Sequence, residues 1–171
     1  CERLVLELPY NSGGAGGFHD GLEAGLKKDA DWLWVADDDA YPEPDAFEKI
    51  NDYYESLSKD EKNGIAALCS AVINNGKIHY AHRNHLNLSK FKCKFRESSP
   101  QEYEKKAFDI DVFSYVGTLI SKTALLEQGL CEKEYFIYCD DQEHALRIRK
   151  AGRIVVVPES RVIHNTPGFD D

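Results

Sequence analysis

Runs of apolar residues punctuated by glycine, proline and aspartate predict alternating strands and helices along this chain. Residues 3–8 read as a short strand around Leu4-Val5-Leu6. Residues 11–17, Asn11-Ser12-Gly13-Gly14-Ala15-Gly16-Gly17, read as a glycine-rich loop. A helix is expected over 18–28, with Leu22 and Leu26 four apart on one face. The compact apolar run at 32–36, Trp32-Leu33-Trp34-Val35-Ala36, predicts a buried central strand. It stops at Asp37-Asp38-Asp39. Pro42 and Pro44 then introduce a helix over 45–57, proline being favoured at helix starts. Residues 65–72 predict a second apolar strand, and Asn74-Asn75-Gly76 a hairpin turn. The segment 77–96 reads as irregular with one strand. Its alternating end, Phe91 to Arg96, places Phe91, Cys93 and Phe95 inward. An apolar stretch over 110–120, with Gly117 inside it, leads to a helix ending at Gly129. The aromatic run Tyr135-Phe136-Ile137-Tyr138 precedes a helix over 141–151, stopped by Gly152. Strands at 154–157, closed by Pro158, and at 161–164 complete the pattern. This order predicts one α/β domain over 1–171, with a mixed, mostly parallel sheet flanked by helices.

Composition fits a folded domain. The 171 residues are 42% apolar and 30% charged, and a chain of this length buries about 70% of its unfolded surface without a disulfide or metal staple. Thirty acidic residues against 21 basic ones give a net charge of −9, which argues against a nucleic-acid partner. No apolar run is long enough to span a bilayer. The five cysteines, Cys1, Cys69, Cys93, Cys131 and Cys139, are odd in number and lack C-x-x-C spacing, which suits reduced, mostly buried thiols in a cytoplasmic setting. Charge is unevenly spread. Residues 77–96 hold six bases (Lys77, Arg83, Lys90, Lys92, Lys94, Arg96) and no acid, so the remainder of the chain carries −15. This segment reads as a solvated strand face, or as a contact for a lipid diphosphate, an acidic glycan or the inner face of a membrane.

The candidate chemistry lies where apolar runs end. Three consecutive carboxylates repel one another and need a reason, and strand carboxyl ends are where open α/β sheets bind ligands. Alternation puts Asp37 and Asp39 on one side, as two hard oxygen ligands for Mg²⁺ or Mn²⁺. The glycine-rich loop has no Gly-Lys-Ser/Thr, and His19 stands where a dinucleotide fingerprint needs its third glycine. What it offers is close backbone approach and N–H donors. In Asp140-Asp141-Gln142-Glu143-His144, one aspartate fits a helix cap and a second fits a general base. His79, His82 and His85 have metal-like spacing, although Asn75-Gly76 before them argues for a hairpin. His164, alone on a short strand, is left as structural or as a ligand.

The ordered set N-S-G-G-A-G-G-F, D-W-L-W-V-A-D-D-D-A-Y-P, V-G-T-L-I-S-K, Y-F-I-Y-C-D-D-Q-E-H-A-L-R and V-V-V-P-E-S-R-V-I-H resembles glycosyltransferase family 2. Its nearest-looking branch holds galactofuranosyltransferases and rhamnosyltransferases of polysaccharide and cell-wall synthesis. The resemblance implies a GT-A fold and an inverting transfer from a nucleotide-diphosphate sugar to a glycan or lipid-linked acceptor, with Mn²⁺ or Mg²⁺. It implies that Asp37 and Asp39 form a D-x-D metal site completed by His164, and that Asp141 is the catalytic base, which needs no unusual pKa because a carboxylate is ordinarily ionised at pH 7. Asn11, Gly13, Gly14, Gly16, Gly17, Asp38 and Gly117 would then face the donor, and Tyr138, Asp140 and Glu143 the acceptor. Relatives often carry Trp where this chain has Cys139. They also begin with a further strand and acidic loop, so a start at Cys1 implies a domain truncated at its N-terminus. The alternatives are an inactive nucleotide-sugar-binding module and a sugar nucleotidyltransferase, which would need cations that the glycine-rich loop lacks.

Overall fold

The computed structural model describes residues 3–89 and 92–165. In chain order it contains α1 (Gly13–Leu26), β1 (Trp32–Val35), β2 (Tyr41–Pro42), α2 (Ala46–Glu55), α3 (Lys59–Asn63), β3 (Ile65–Asn74), β4 (Lys77–Ile78) and a 3₁₀ turn (Tyr80–His82). There follow β5 (Arg83–Ser89), β6 (Lys92–Glu97), α4 (Pro100–Tyr103), β7 (Phe108–Ile110), β8 (Val112–Phe113) and β9 (Thr118–Ser121). The chain then forms α5 (Lys122–Gln128), a second 3₁₀ turn (Lys133–Tyr135), α6 (Asp140–Ile148) and β10 (Arg153–Ile163). Among the described residues, no helix is long and apolar enough to cross a membrane.

The main sheet has the order β1-β9-β3-β10-β2, with β4 beside β3 and β7 beside β10. The sheet is mixed and helix-flanked, as expected. Its parallel part is the long central pairing of β3 with β10, and the pairings around it are antiparallel. β3 is buried along nearly its whole length, as befits a strand covered on both faces. Alternation sends Ala67, Cys69 and Ala71 toward α5 and α6, where Leu125, Ala145 and Ile148 pack. Leu68 joins Val155, Val157 and Ile50 of α2 on the other face. A second sheet, β6-β5-β8, joins this core through Val112 and Phe113 of β8.

Local chemistry explains several boundaries. Ser58 and Glu61 form a reciprocal capping box that starts α3, and Ser121 Oγ accepts the Ala124 N–H at the start of α5. Asn75 and Gly76, at φ 48° and 77°, make the expected turn between β3 and β4.

Other expectations are corrected. Residues 3–8 are not a strand: the segment pairs with no strand among the described residues, and Leu4 and Val5 are 57% and 65% exposed. Apolar sequence makes a strand only where an edge accepts its backbone. The glycine run is not a loop but the first turns of α1. β1 is half-buried and ends the sheet order rather than lying at its centre. Its apolar run reflects two covered faces, with Trp32 against Tyr54 and Trp34 against Phe47 on one of them. Residues 77–96 contain three strands, and Phe95 is 42% exposed rather than inward. Phe91 lies outside the described residues, as does the side chain of Cys93. The two final strands are one, β10, with its register against β3 shifting between Val157 and Arg161. Pro158 has no N–H to donate there. The helix expected to stop at Gly152 ends at Ile148. Gly152 is required for another reason, because a Cβ there would lie 2.6 Å from Gly64 O.

Candidate active site

Asp37-Asp38-Asp39 follows β1 directly, and the Ala40 N–H closes a turn on Asp37 O at 3.2 Å. The chain then enters β2, which pairs antiparallel with the end of β10, Tyr41 opposite Ile163. That pairing sets Asp39, just before β2, beside His164, just after β10. His164 is itself tied down by its N–H to Ile73 O, 2.9 Å. His164 Nε2 lies 3.1 Å from Asp39 Oδ1. One ligand atom from each of Asp37, Asp39 and His164 falls within 4.8 Å of the others.

The second acidic cluster is close enough to the first for each to raise the other's carboxyl pKa. Asp140 and Asp141 open α6. Burial pushes Asp37 above the usual carboxylate range; His164 pulls it down, and Asp39, Asp38 and Asp140 push it further up. Burial, then the charge of Asp140, push Asp141 up to about 6, with Asp37 also contributing. Asp141 is therefore raised above the ordinary carboxylate range, which the role of a base did not require. It remains mostly ionised at pH 7 and accepts the Gln142 N–H at 2.7 Å. Asp140 is buried, and desolvation raises it too.

A cavity of about 610 Å³ opens between α1 and β1, with Asp37 and Asp38 at one end. Gly14 and Gly17 line it, and a Cβ at either would meet nothing within 4 Å. Gly13, at φ +69°, is held by its N–H to Asn11 Oδ1, 2.9 Å. A Cβ on Gly13 would sit 2.0 Å from Phe136 O, the same carbonyl that accepts the Ala15 N–H at 3.1 Å. The start of α1 thus touches the aromatic loop before Asp140. That loop is strained: Phe136, Tyr138 and Cys139 all have positive φ. Tyr138, 79% exposed, stands out from it.

Four expectations change here. Glu143 is not presented to an acceptor: Arg147 holds both its oxygens, at 2.6 and 2.7 Å, and also holds the carbonyls of Gln128 and Leu130. Gly117 is buried, at φ +65°, and a Cβ would lie 2.5 Å from Val162 Cγ2, so packing rather than a donor contact demands glycine. Gly16 is buried against Ser12, whose Oγ would be 2.2 Å from a Cβ. The bases of 77–96 do not all face solvent. Arg83 is fully buried and donates to the carbonyls of Ser70, His82, Ser114 and Val116, and Arg96 lies 3.6 Å from Glu102.

Sequence reasoning missed Trp32, Trp34 and Phe18, which line the cavity. Their only signal was that the apolar run before Asp37 is aromatic. His82, one of the three histidines marked by spacing, stands half-buried beside His164. Burial, Arg83, His79 and His164 together drive His82 down to about 2, so it is neutral.

A family model described as "Glycosyltransferase like family 2" matches residues 2–168. This chain belongs to glycosyltransferase family 2. Among solved structures, the family 2 chain is similar to one described as the crystal structure of GalNAc-T7 with UDP, GalNAc and Mn²⁺. The identity is 16% and the TM-score 0.62, over 93% of this chain and 31% of the other, so the likeness is one of fold. The chain spans about a third of that structure's length. No curated protein sequence matches it. The fold is the GT-A fold, in agreement with the resemblance read from its motifs. The donor atoms of Asp37, Asp39 and His164 fit a divalent cation in this family 2 domain. Two carboxylates suit a hard ion, and an imidazole can complete such a set.

Proposed function

We propose that this domain transfers a sugar from a nucleotide-diphosphate donor to a glycan hydroxyl, with inversion at the anomeric carbon. The observation that carries the reading is the proximity of two acidic sites. Asp37, Asp39 and His164 converge within metal-ligand reach, and Asp141 lies near enough for Asp37 to raise its pKa. The solved neighbour holds UDP and Mn²⁺, which supports a uridine nucleotide as the first donor to try.

Asp37, Asp39 and His164 would hold Mn²⁺ or Mg²⁺, which when bound neutralises charge on the donor diphosphate. The cavity between α1 and β1 supplies the donor's seat, with Gly14 and Gly17 allowing close backbone approach. The exposed Tyr138 offers an aromatic face to an acceptor sugar. Asp141 takes the proton of the acceptor hydroxyl as that oxygen attacks the anomeric carbon from the face opposite the leaving diphosphate. A raised pKa makes Asp141 a better match to that task near neutral pH than an ordinary carboxylate.

The test is a thermal-shift titration with nucleoside diphosphates, with and without Mn²⁺, followed by a transfer assay. UDP should stabilise the chain only when Mn²⁺ is present. Asp141→Asn should lose transfer by at least about 100-fold while keeping that stabilisation. Undiminished transfer by Asp141→Asn removes Asp141 from the role. No metal-dependent stabilisation by any nucleoside diphosphate defeats the donor reading.

A further inference from the structure

The three histidines marked by their spacing have no place in the transfer step, and the fold separates them. His85 turns to Glu102, Nε2 to Oε1, 2.9 Å. His79 and His82 stay together, because the 3₁₀ turn Tyr80–His82 brings positions three apart onto one side. His82 Nε2 lies 3.2 Å from His79 Nδ1. The other nitrogen, His82 Nδ1, lies 2.7 Å from Ser114 Oγ. With both nitrogens engaged, the imidazole cannot rotate without breaking a hydrogen bond. Arg83 secures the same group from behind by donating to the carbonyls of both His82 and Ser114.

The face of this locked assembly meets His164. The two rings stand at 80°, with centroids 5.7 Å apart. His164 is one residue beyond the end of β10, and its N–H to Ile73 O, 2.9 Å, fixes the backbone but not the side-chain torsions. Its ring nevertheless presents Nε2 to Asp39. Metal-ligating histidines hold their orientation through neighbours that are not themselves ligands, and removing such a neighbour costs about 10–100-fold in metal affinity.

We propose that His82, locked between Ser114 and His79, is a positioning residue that holds the His164 ring in its metal-binding orientation. The inference rests on the metal reading of Asp37, Asp39 and His164 given above. It assigns His82 no contact with donor, acceptor or ion.

The test is a Mn²⁺ titration of the whole chain, following the electron paramagnetic resonance signal of free Mn²⁺, with melting in EDTA measured alongside. His164→Ala serves as the ligand control and should abolish site binding. His82→Ala should weaken Mn²⁺ binding by about 10-fold. His82→Phe keeps a ring but loses both hydrogen bonds, and should fall with His82→Ala rather than with the unaltered chain. Ser114→Ala leaves His82 in place and frees one nitrogen. It should weaken binding by a few-fold while shifting the EDTA melt little, and it decides the matter if His82 variants fail to fold. A purely structural role for His82 predicts lower melting at unchanged affinity. Mn²⁺ affinity within twofold of the unaltered chain in folded His82→Phe and Ser114→Ala overturns the proposal. Equal binding, or none, by the unaltered chain and His164→Ala overturns the metal reading and this inference with it. That failure is recognisable because it appears at His164 itself.

Discussion

At Asp141 the pH behaviour follows from two neighbours' effects on one carboxyl. Its pKa rises from 3.8 to about 6, first through burial and then through Asp140. The folded state therefore holds a proton that the unfolded chain has released between about pH 4 and 6. Stability contributed by this group falls as pH rises through that window and stays reduced above it. A tenfold change in proton affinity corresponds to about 1.4 kcal/mol. Asp141→Asn should accordingly raise the stability of the metal-free chain by about 1–3 kcal/mol at pH 7 to 8. That gain should vanish near pH 4, as checked by urea unfolding at both pH values. The same carboxyl should set an acid limb near pH 6 in transfer activity, and Asp140→Asn should move that limb to lower pH. The sequence marked both aspartates but not their pKa. The rise comes chiefly from burial of the start of α6, then from Asp140 beside it, with a smaller push from Asp37, more than 100 positions away. Glu143 shows the opposite outcome. Its place in an acidic run suggested an acceptor contact, and Arg147, one helical turn on, takes both its oxygens.

Glycine serves two purposes, one along α1 and one just before β10, that a Cβ separates. Gly21 lines the cavity, and a Cβ there meets nothing within 4 Å. Alanine in a helix interior gains about 0.5–1 kcal/mol over glycine. Gly21→Ala should therefore raise the melting temperature by a few degrees and weaken metal-dependent nucleotide binding, both readable in one thermal-shift titration. Gly152→Ala should do the reverse of the first effect. Its Cβ would press on the backbone of Gly64 and Ala66, at 2.6 and 3.1 Å, and should cost at least about 1–3 kcal/mol. Element identities such as α2, β3 and the turn at 75–76 were legible from period, proline and glycine. The strand at 3–8 and the position of β1 were misread, because apolar period reports burial and says nothing of which edge is available for pairing.

Across the whole molecule, Arg83 is the joint between the two sheets. It starts β5 of the smaller sheet, while its guanidinium reaches Ser70 on β3 and the turn at 114–117 that leads into β9. Backbone carbonyls, not a carboxylate, satisfy it. Arg83→Met would remove the guanidinium donor from the buried Ser70 and Val116 carbonyls, while Ser114 O keeps the Thr118 hydroxyl. It should destabilise the fold by about 3–5 kcal/mol, seen as a lower urea midpoint, and should loosen the His82–Ser114 contact beside it. In the sequence Arg83 counted as one of six surface bases.

Taken alone, the chain's order of residues determined most of its element types, its α/β class, and the residue chemistry that gathers at strand ends and a helix start. Those depend on local period and on the company each side chain keeps within a few positions. Only the tertiary structure decided that His164 meets Asp39, through the pairing of β2 with β10. It alone decided that His82 stands beside His164, that Arg83 is interior and that Asp141 lies near enough for Asp37 to raise its pKa. Each of these joins residues far apart in sequence, and strand pairing and burial, not sequence spacing, set their distances.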